Sequence, residues 1–225
     1  MFLPQMSALR RLTRRETLRG MNLALVGARS LLGEARLLKR HGATSRAIAL
    51  TILSMEETAK VVFLTLFSNP ERQSLNQRSL RRLWRIFSSH DGKINLLMDG
   101  TWKSILYVRK RARAKGAKDH AVRLLQDFAA LDRYLQAGHV TTLTKLKERC
   151  LYLDIDPRSA FFVSQFRVPR RITSALVHLA ESNIRDAMVL RDSFRRSRTN
   201  SLSEAILTVM TRSQVLEQIA SDLGI

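Results

Sequence analysis

The chain has 225 residues and carries 39 Lys and Arg against 19 Asp and Glu, a formal charge of +20. That length buries one sizeable core, as one domain or as a domain with a helical appendage. Nine Gly and four Pro, with Leu, Ala, Arg and Lys recurring at helical periods, make all-α the expected class. A single cysteine, Cys150, excludes an internal disulfide and reads as a small buried apolar residue. With no apolar run long enough to span a bilayer, a cytoplasmic protein with no membrane partner is expected.

Residues Met1 to Arg15 hold no acid and read as a basic arm; the apolar core of a signal peptide is missing. The first helix is expected from about Thr13 to Lys39, with Leu25, Ala28, Leu32, Ala35 and Leu38 among its apolar positions. His41-Gly42 stops it, because glycine supplies the left-handed cap. The second helix runs from Ala43 to Phe67 and ends before Asn69-Pro70. Steps of ~100° put Glu56 on one stripe with Ala49, Ile52, Ala59, Lys60 and Phe63, so its carboxylate is expected to point inward. Thr51, Ser54, Thr58 and Thr65 fall on the opposite face, the expected route to solvent. A buried carboxylate is costly unless paired and hydrogen-bonded. Lys60 stands four residues beyond Glu56 and three beyond Glu57, both helical contact spacings.

A shorter helix is expected over Leu75 to Phe87, then a break or tight junction at Ser88 to Gly92, then a helix from Lys93 towards Ala114. Lys118 to Ala137 follows, with Val122, Leu125, Phe128, Ala129 and Leu135 facing in. A helix over about Val140 to Tyr152 leads to an extended or turn-like Asp154-Ile155-Asp156-Pro157. Val168-Pro169 marks a second break. Ile172 to Phe194 and Ser201 to Leu223 are the last two helices, with Arg195 to Ser203 as a hinge loop between them.

Three motifs occur in a telling order: Met55-Glu56-Glu57-Thr58-Ala59-Lys60, then His90-x-x-Lys93, then Leu146-Lys147-Glu148-Arg149-Cys150-Leu151-Tyr152-Leu153-Asp154. Together they resemble the AbiV group of bacterial abortive-infection proteins, which are similar to the HEPN superfamily of helical, often dimeric, RNA-targeting domains. The resemblance spans roughly Met21 to Phe194. It departs at Asp91-Gly92, where the group has more basic residues, and at Phe161-Phe162, where a Trp or Gly is usual. The expected fold is a HEPN-like helical bundle with additional C-terminal helices: the resemblance implies the AbiV-type domain (16–195), whereas the basic arm (1–15) and a C-terminal helix packed on the bundle (196–225) are read from the sequence and have no counterpart in the group. The resemblance also implies a homodimer, an antitoxin or activating partner, and an antiphage role through RNA or translation.

HEPN ribonucleases carry Arg, four to six residues, then His, and Arg85-Ile86-Phe87-Ser88-Ser89-His90 meets that spacing, although Ile86 stands where a polar residue is common. By this resemblance Arg85 and His90 are catalytic, with Glu56, Lys60 and Lys93 in support, and no metal or other cofactor is required. Imidazole suits general acid–base work because its unperturbed pKa lies near working pH, while Arg85 would bind the scissile phosphate. Glu56 would orient the site by accepting from His90, Arg85 or Lys93, with Lys60 balancing its charge. Five residues apart on a regular helix, Arg85 and His90 point ~140° away from each other. They converge only if the helix ends near Ser88 or a dimer brings two copies together. The plainer alternative is a satisfied polar network of Glu56, Lys60 and His90 that fixes helix register. A di-metal carboxylate site is set aside because no Glu has a His three residues on, and one Cys with five scattered His does not make a zinc site.

The densest cationic run is Arg109-Lys110-Arg111-Ala112-Arg113-Ala114-Lys115, extended by Lys118. Further clusters include Arg10, Arg11, Arg14, Arg15 and Arg19, then Arg167, Arg170 and Arg171, and finally Arg191, Arg195, Arg196 and Arg198. Each alone is ordinary solvated surface. Four clusters in a chain at +20 favour phosphate, hence RNA or ribosome, as partner, with Arg109, Lys110, Arg111, Arg113, Lys115, Lys118, Arg170 and Arg171 as contacts. The expected function is an abortive-infection effector acting by metal-independent RNA cleavage. The alternatives are a non-catalytic RNA- or ribosome-binding inhibitor and a helical partner protein controlled by another factor.

Overall fold

The computed structural model describes residues 12–67, 84–85, 87–98, 115–139, 142–151, 154–155, 162–163 and 168–196. Helix α1 spans Arg14–Arg40. A capping box starts it: the Thr13 hydroxyl accepts from the Glu16 N–H at 3.2 Å while the Glu16 carboxylate accepts from the Thr13 N–H at 2.7 Å, satisfying two donors that a helix start leaves open. The Thr13 hydroxyl, donating to the Glu16 carboxylate at 2.7 Å, and then the Thr13 N–H hold that carboxyl below the usual carboxylate range. Gly42, at φ +80°, turns the chain after His41 where a side chain would be strained, and α2 follows over Thr44–Phe67.

Helix α2 is apolar almost all round, and such a helix is buried on most sides. It packs on α1, on α4 (Leu143–Leu151) and on α5 (Arg170–Arg196). One apolar cluster gathers Met21, Leu25, Ala28 and Leu32 of α1 with Met55, Ala59 and Phe63 of α2 and Val177, Ala180 and Ile184 of α5. A second gathers Ile48 and Ile52 of α2 with Leu143 and Leu146 of α4, Leu176 and Leu179 of α5, and Leu124 and Leu131 of α3 (Lys115–Tyr134). Where α1 meets α2, a Cβ at Gly20 would stand 2.9 Å from a Leu64 methyl, which would have to turn aside for it.

The hydroxyl-bearing face of α2 does not reach solvent. Thr51, Ser54, Thr58 and Thr65 are all buried, contrary to the expectation from their polarity. The reason is local: Thr51, Thr58 and Thr65 donate back to the carbonyls of Ala47, Ser54 and Val61 at 2.7–2.9 Å, so each hydroxyl is satisfied within its own helix. Ser54 instead crosses to α1 and donates to the Ala28 carbonyl at 2.7 Å.

Helix α3 begins at Lys115 rather than Lys118 and passes at Leu135–His139 into a π-helical turn. Its inward face is rotated from the expected one. Val122 is 40% exposed and Ala129 is exposed, while Leu124, Ala130 and Leu131 are buried. Leu125, Phe128 and Leu135 pack partly buried against the core as expected. After α4, Asp154–Ile155 pairs antiparallel with Phe162–Val163 in a two-residue ladder, matching the extended segment expected near Asp154. Helix α5 continues through Arg195 and Arg196, which were expected in a hinge loop. The α1 start is pinned to its end: Arg14 donates to the Phe194 carbonyl at 2.6 Å, with its guanidinium over the Phe194 ring. The expected helix over 201–223, the hinge residues 197–203, most of 75–87 and most of the basic arm lie outside the described residues.

Candidate active site

Glu56 is the centre of the site. It stands on α2 and is 4% exposed, so the inward orientation expected from its stripe is what the fold adopts. Both carboxylate oxygens are taken. Oε2 lies 2.6 Å from Nδ1 of His90, and Oε1 accepts from Nζ of Lys147 at 2.5 Å. Lys147 Nζ also stands 3.2 Å from His90 Nδ1, which closes a three-membered cluster drawn from α2, the segment at residue 90, and α4.

Ser89 places His90. It is the single non-helical residue between Ser88 and a helical stretch at 90–98. Its N–H still donates to the Arg85 carbonyl at 3.1 Å, its carbonyl accepts from the Lys93 N–H at 3.2 Å, and its hydroxyl accepts from the Gly92 N–H at 3.2 Å. Ser89 thus serves as the N-cap of the new helix. His90 becomes the first residue of that helix, with Lys93 one turn on. The break needed for Arg85 and His90 to leave the ~140° divergence of a regular helix is therefore present at Ser89. Behind it, Phe87 sets its ring edge-on to Phe63 at 5.2 Å and lies 5.5 Å from Trp84, fixing the junction to α2.

The burial pattern gives the cluster a direction. The Glu56 and Lys147 side chains are only 5% and 8% exposed, whereas the His90 side chain is 55% exposed. The imidazole is thus held from the inside at Nδ1, and its outer edge is open. Arg85 is exposed and Lys93 half-buried. Burial pushes the Lys93 ammonium below the usual lysine range; Glu56 and Glu57 pull it up, and Lys60 and Lys147 push it down.

Lys60 does not meet Glu56. Its ammonium pairs with Glu57 at 2.6 Å on the half-buried side of α2, and Lys147 holds the place beside Glu56 that Lys60 was expected to hold. Lys147, 6% exposed, is the member of the cluster that reasoning from single helices missed, although it lies in one of the three motifs. The signal was its register. Leu143, Leu146, Lys147 and Cys150 fall at i, i+3, i+4 and i+7, an inward stripe, and Leu143, Leu146 and Cys150 are buried beside it. Cys150 is an inert neighbour whose thiol burial pushes up to about 12. Among the described residues no three His, Cys, Asp or Glu gather as a metal site.

Of the expected phosphate contacts, Arg170 and Arg171 are exposed on the first turn of α5, Lys115 opens α3 and Lys118 lies one turn on. Arg109, Lys110, Arg111 and Arg113 lie outside the described residues.

The arrangement is a helical bundle whose central helix presents a buried glutamate to a histidine at the start of another helix. A family model described as AbiV, within the HEPN group, matches residues 16–185. The chain belongs to this AbiV family of HEPN-type abortive-infection proteins. No curated protein and no solved structure matches it.

Proposed function

We propose that this protein is an abortive-infection effector that cleaves RNA without a metal, using His90 as the acid–base group and Arg85 as the phosphate ligand. The observation that carries this reading is the one-sided grip on His90: a buried carboxylate 2.6 Å from Nδ1 and an open outer edge. A neutral ring held this way takes the proton from an RNA 2′-hydroxyl at Nε2, and a protonated one gives it to the departing 5′-oxygen. Arg85 neutralises charge developing on the phosphate, and Lys93, one turn from His90, adds a second cation. Lys60 supports the site from Glu57. Action as a homodimer, in the cytoplasm and under control of an antitoxin or activating partner, belongs to the same reading.

The test is incubation with total bacterial RNA in EDTA, alongside Arg85→Ala and His90→Ala. Cleavage that both variants lose, leaving 2′,3′-cyclic phosphate ends, is the expected result. Intact RNA in every lane, with each protein folded, overturns it. The charge of +20 and the exposed Arg170 and Arg171 favour a second reading, a binding inhibitor of RNA or the ribosome. In that case binding survives His90→Ala, fails when the cations of 109–115 are replaced, and weakens steeply with salt.

A further inference from the structure

The outer face of α1 is left bare by the bundle. Arg19, Leu23, Val26, Ser30, Gly33 and Leu37 are all exposed and follow one another at alternating steps of four and three, the spacing of a seam that meets a second helix. Leu23, Val26 and Leu37 are 64%, 65% and 54% exposed. Scattered apolar residues on a surface are ordinary, but an apolar stripe marks a contact face. A hollow over its first half is lined by Leu18, Leu23 and Val26 together with Arg15, Arg19 and Asn22.

The end of α5 brings an occupant to this face. Arg36 of α1 meets Glu181, Arg29 meets Met188, and Arg14 meets the Phe194 and Arg195 carbonyls. Helix α5 therefore runs antiparallel to α1 and stops, at Arg196, beside the start of α1. Residues 197–200 are enough to turn a chain back between neighbouring helices. The helix expected over Ser201 to Leu223 would measure ~33 Å, matching the ~33 Å from Arg15 to Leu37 along α1. Its Leu202, Ile206, Val209, Leu216 and Leu223 stand at steps of four, three, seven and seven, an apolar seam of its own. Glu204, Glu217 and Asp222 outnumber Arg212 there, whereas α1 offers exposed Arg15, Arg19 and Arg40, and opposite charges favour the contact.

We infer that the outer stripe of α1 is the docking face for the chain's own residues 201–223, which lie outside the described residues. Laid parallel to α1, the segment brings Ile206 level with Leu23, Val209 level with Val26, and Leu216 over Gly33. A Cβ at Gly33 would meet nothing within 4 Å, which leaves room there for a large partner side chain. The contact holds whether or not the protein cuts RNA.

The experiment is cross-linking in the full chain at low protein concentration with a short bismaleimide. Cys150 is buried and stays in place. The pairs are Val26→Cys with Val209→Cys and Leu23→Cys with Ile206→Cys. The control is Val189→Cys with Val209→Cys, since Val189 of α5 is also 64% exposed. An intrachain bridge in either α1 pair and none in the control is the expected result, with the bridge of the first pair lost when Leu216→Asp is added. A bridge between two chains gives the face to a second copy and overturns the inference. A bridge in the control, or none in any folded pair, overturns it as well. If neither pair folds, the single variant Val26→Cys decides, because its site lies outside the core. It is expected to react with maleimide at least about tenfold more slowly than Val189→Cys, and equal rates overturn the inference.

Discussion

Glu56 and Glu57 are neighbours on one helix, and the structure assigns them very different energetic weights. Replacing Glu56 by Ala removes the partner of an ammonium that is 6% exposed and strips His90 of its acceptor. Breaking a buried pair from one side costs about 3–5 kcal/mol, since the remaining charge stays desolvated; the better helix propensity of Ala returns only a few tenths. Replacing Glu57 by Ala breaks a pair whose side chains are 30% and 36% exposed, worth roughly 0.2–1 kcal/mol. A domain stable by about 5–15 kcal/mol therefore loses a large share of its stability in the first case and little in the second. Urea unfolding followed by circular dichroism reads the difference. With a slope near 2 kcal/mol/M, the midpoint of Glu56→Ala falls by about 2 M and that of Glu57→Ala by less than about 0.5 M. The double variant Glu56→Ala/Lys147→Met is expected to be more stable than Glu56→Ala alone, because it removes the stranded cation. Equal losses for Glu56→Ala and Glu57→Ala, or no recovery in the double variant, would refute the account of a buried, mutually dependent pair.

Thr13→Ala removes the hydroxyl of the capping box and is expected to cost about 1 kcal/mol of stability at neutral pH, read by thermal unfolding. The pH dependence has a definite sign. The folded Glu16 carboxyl is held below its unfolded range, so its contribution is present above the unfolded value and is lost as pH falls through the folded one; the difference between wild type and Thr13→Ala narrows in acid. Lys93 shares that direction of pH dependence, but its lowered value marks the cost of burying a charge rather than a favourable bond. Its ammonium is disfavoured in the folded state, so stability rises with pH between the folded and unfolded values, and Lys93→Met is expected to hold or raise Tm at neutral pH, read by thermal unfolding. A clear drop in its Tm would contradict that assignment. Cys150, with its thiol pushed up to about 12 by burial, is expected to resist alkylation at pH 8 in the native protein and to react promptly in urea. Rapid modification without unfolding would refute its burial.

The inward carboxylate was legible because Glu56 interrupts an apolar stripe, and a charge on such a stripe is either paired or absent. The four hydroxyls of α2 were misleading for a reason specific to Thr and Ser. Three satisfy themselves on the preceding turn and one on the neighbouring helix, so polarity there does not mark solvent. In α3 the sequence offers apolar residues at both 122 and 124, and only packing against α5 selects Leu124 and leaves Val122 outside. The acidic half of the site could be read within one helix. The cationic half could not, since the partner of Glu56 lies 91 residues away, and the nearer Lys60 satisfied the same spacing rule. The junction at Ser88 to Gly92 was visible as a break, but its narrowing to Ser89, which makes His90 the first residue of a helix, depends on the cap formed with Gly92.

The cluster also imposes an order in time. Glu56 and His90 are 34 residues apart, and Lys147 comes 57 residues after His90, so during synthesis the glutamate and the histidine emerge first and the lysine last. A nascent chain that has exposed α1, α2 and His90 but not α4 holds the buried carboxylate without its ammonium partner. The three-membered cluster is complete only once residue 147 has left the ribosome and α4 has docked against α2.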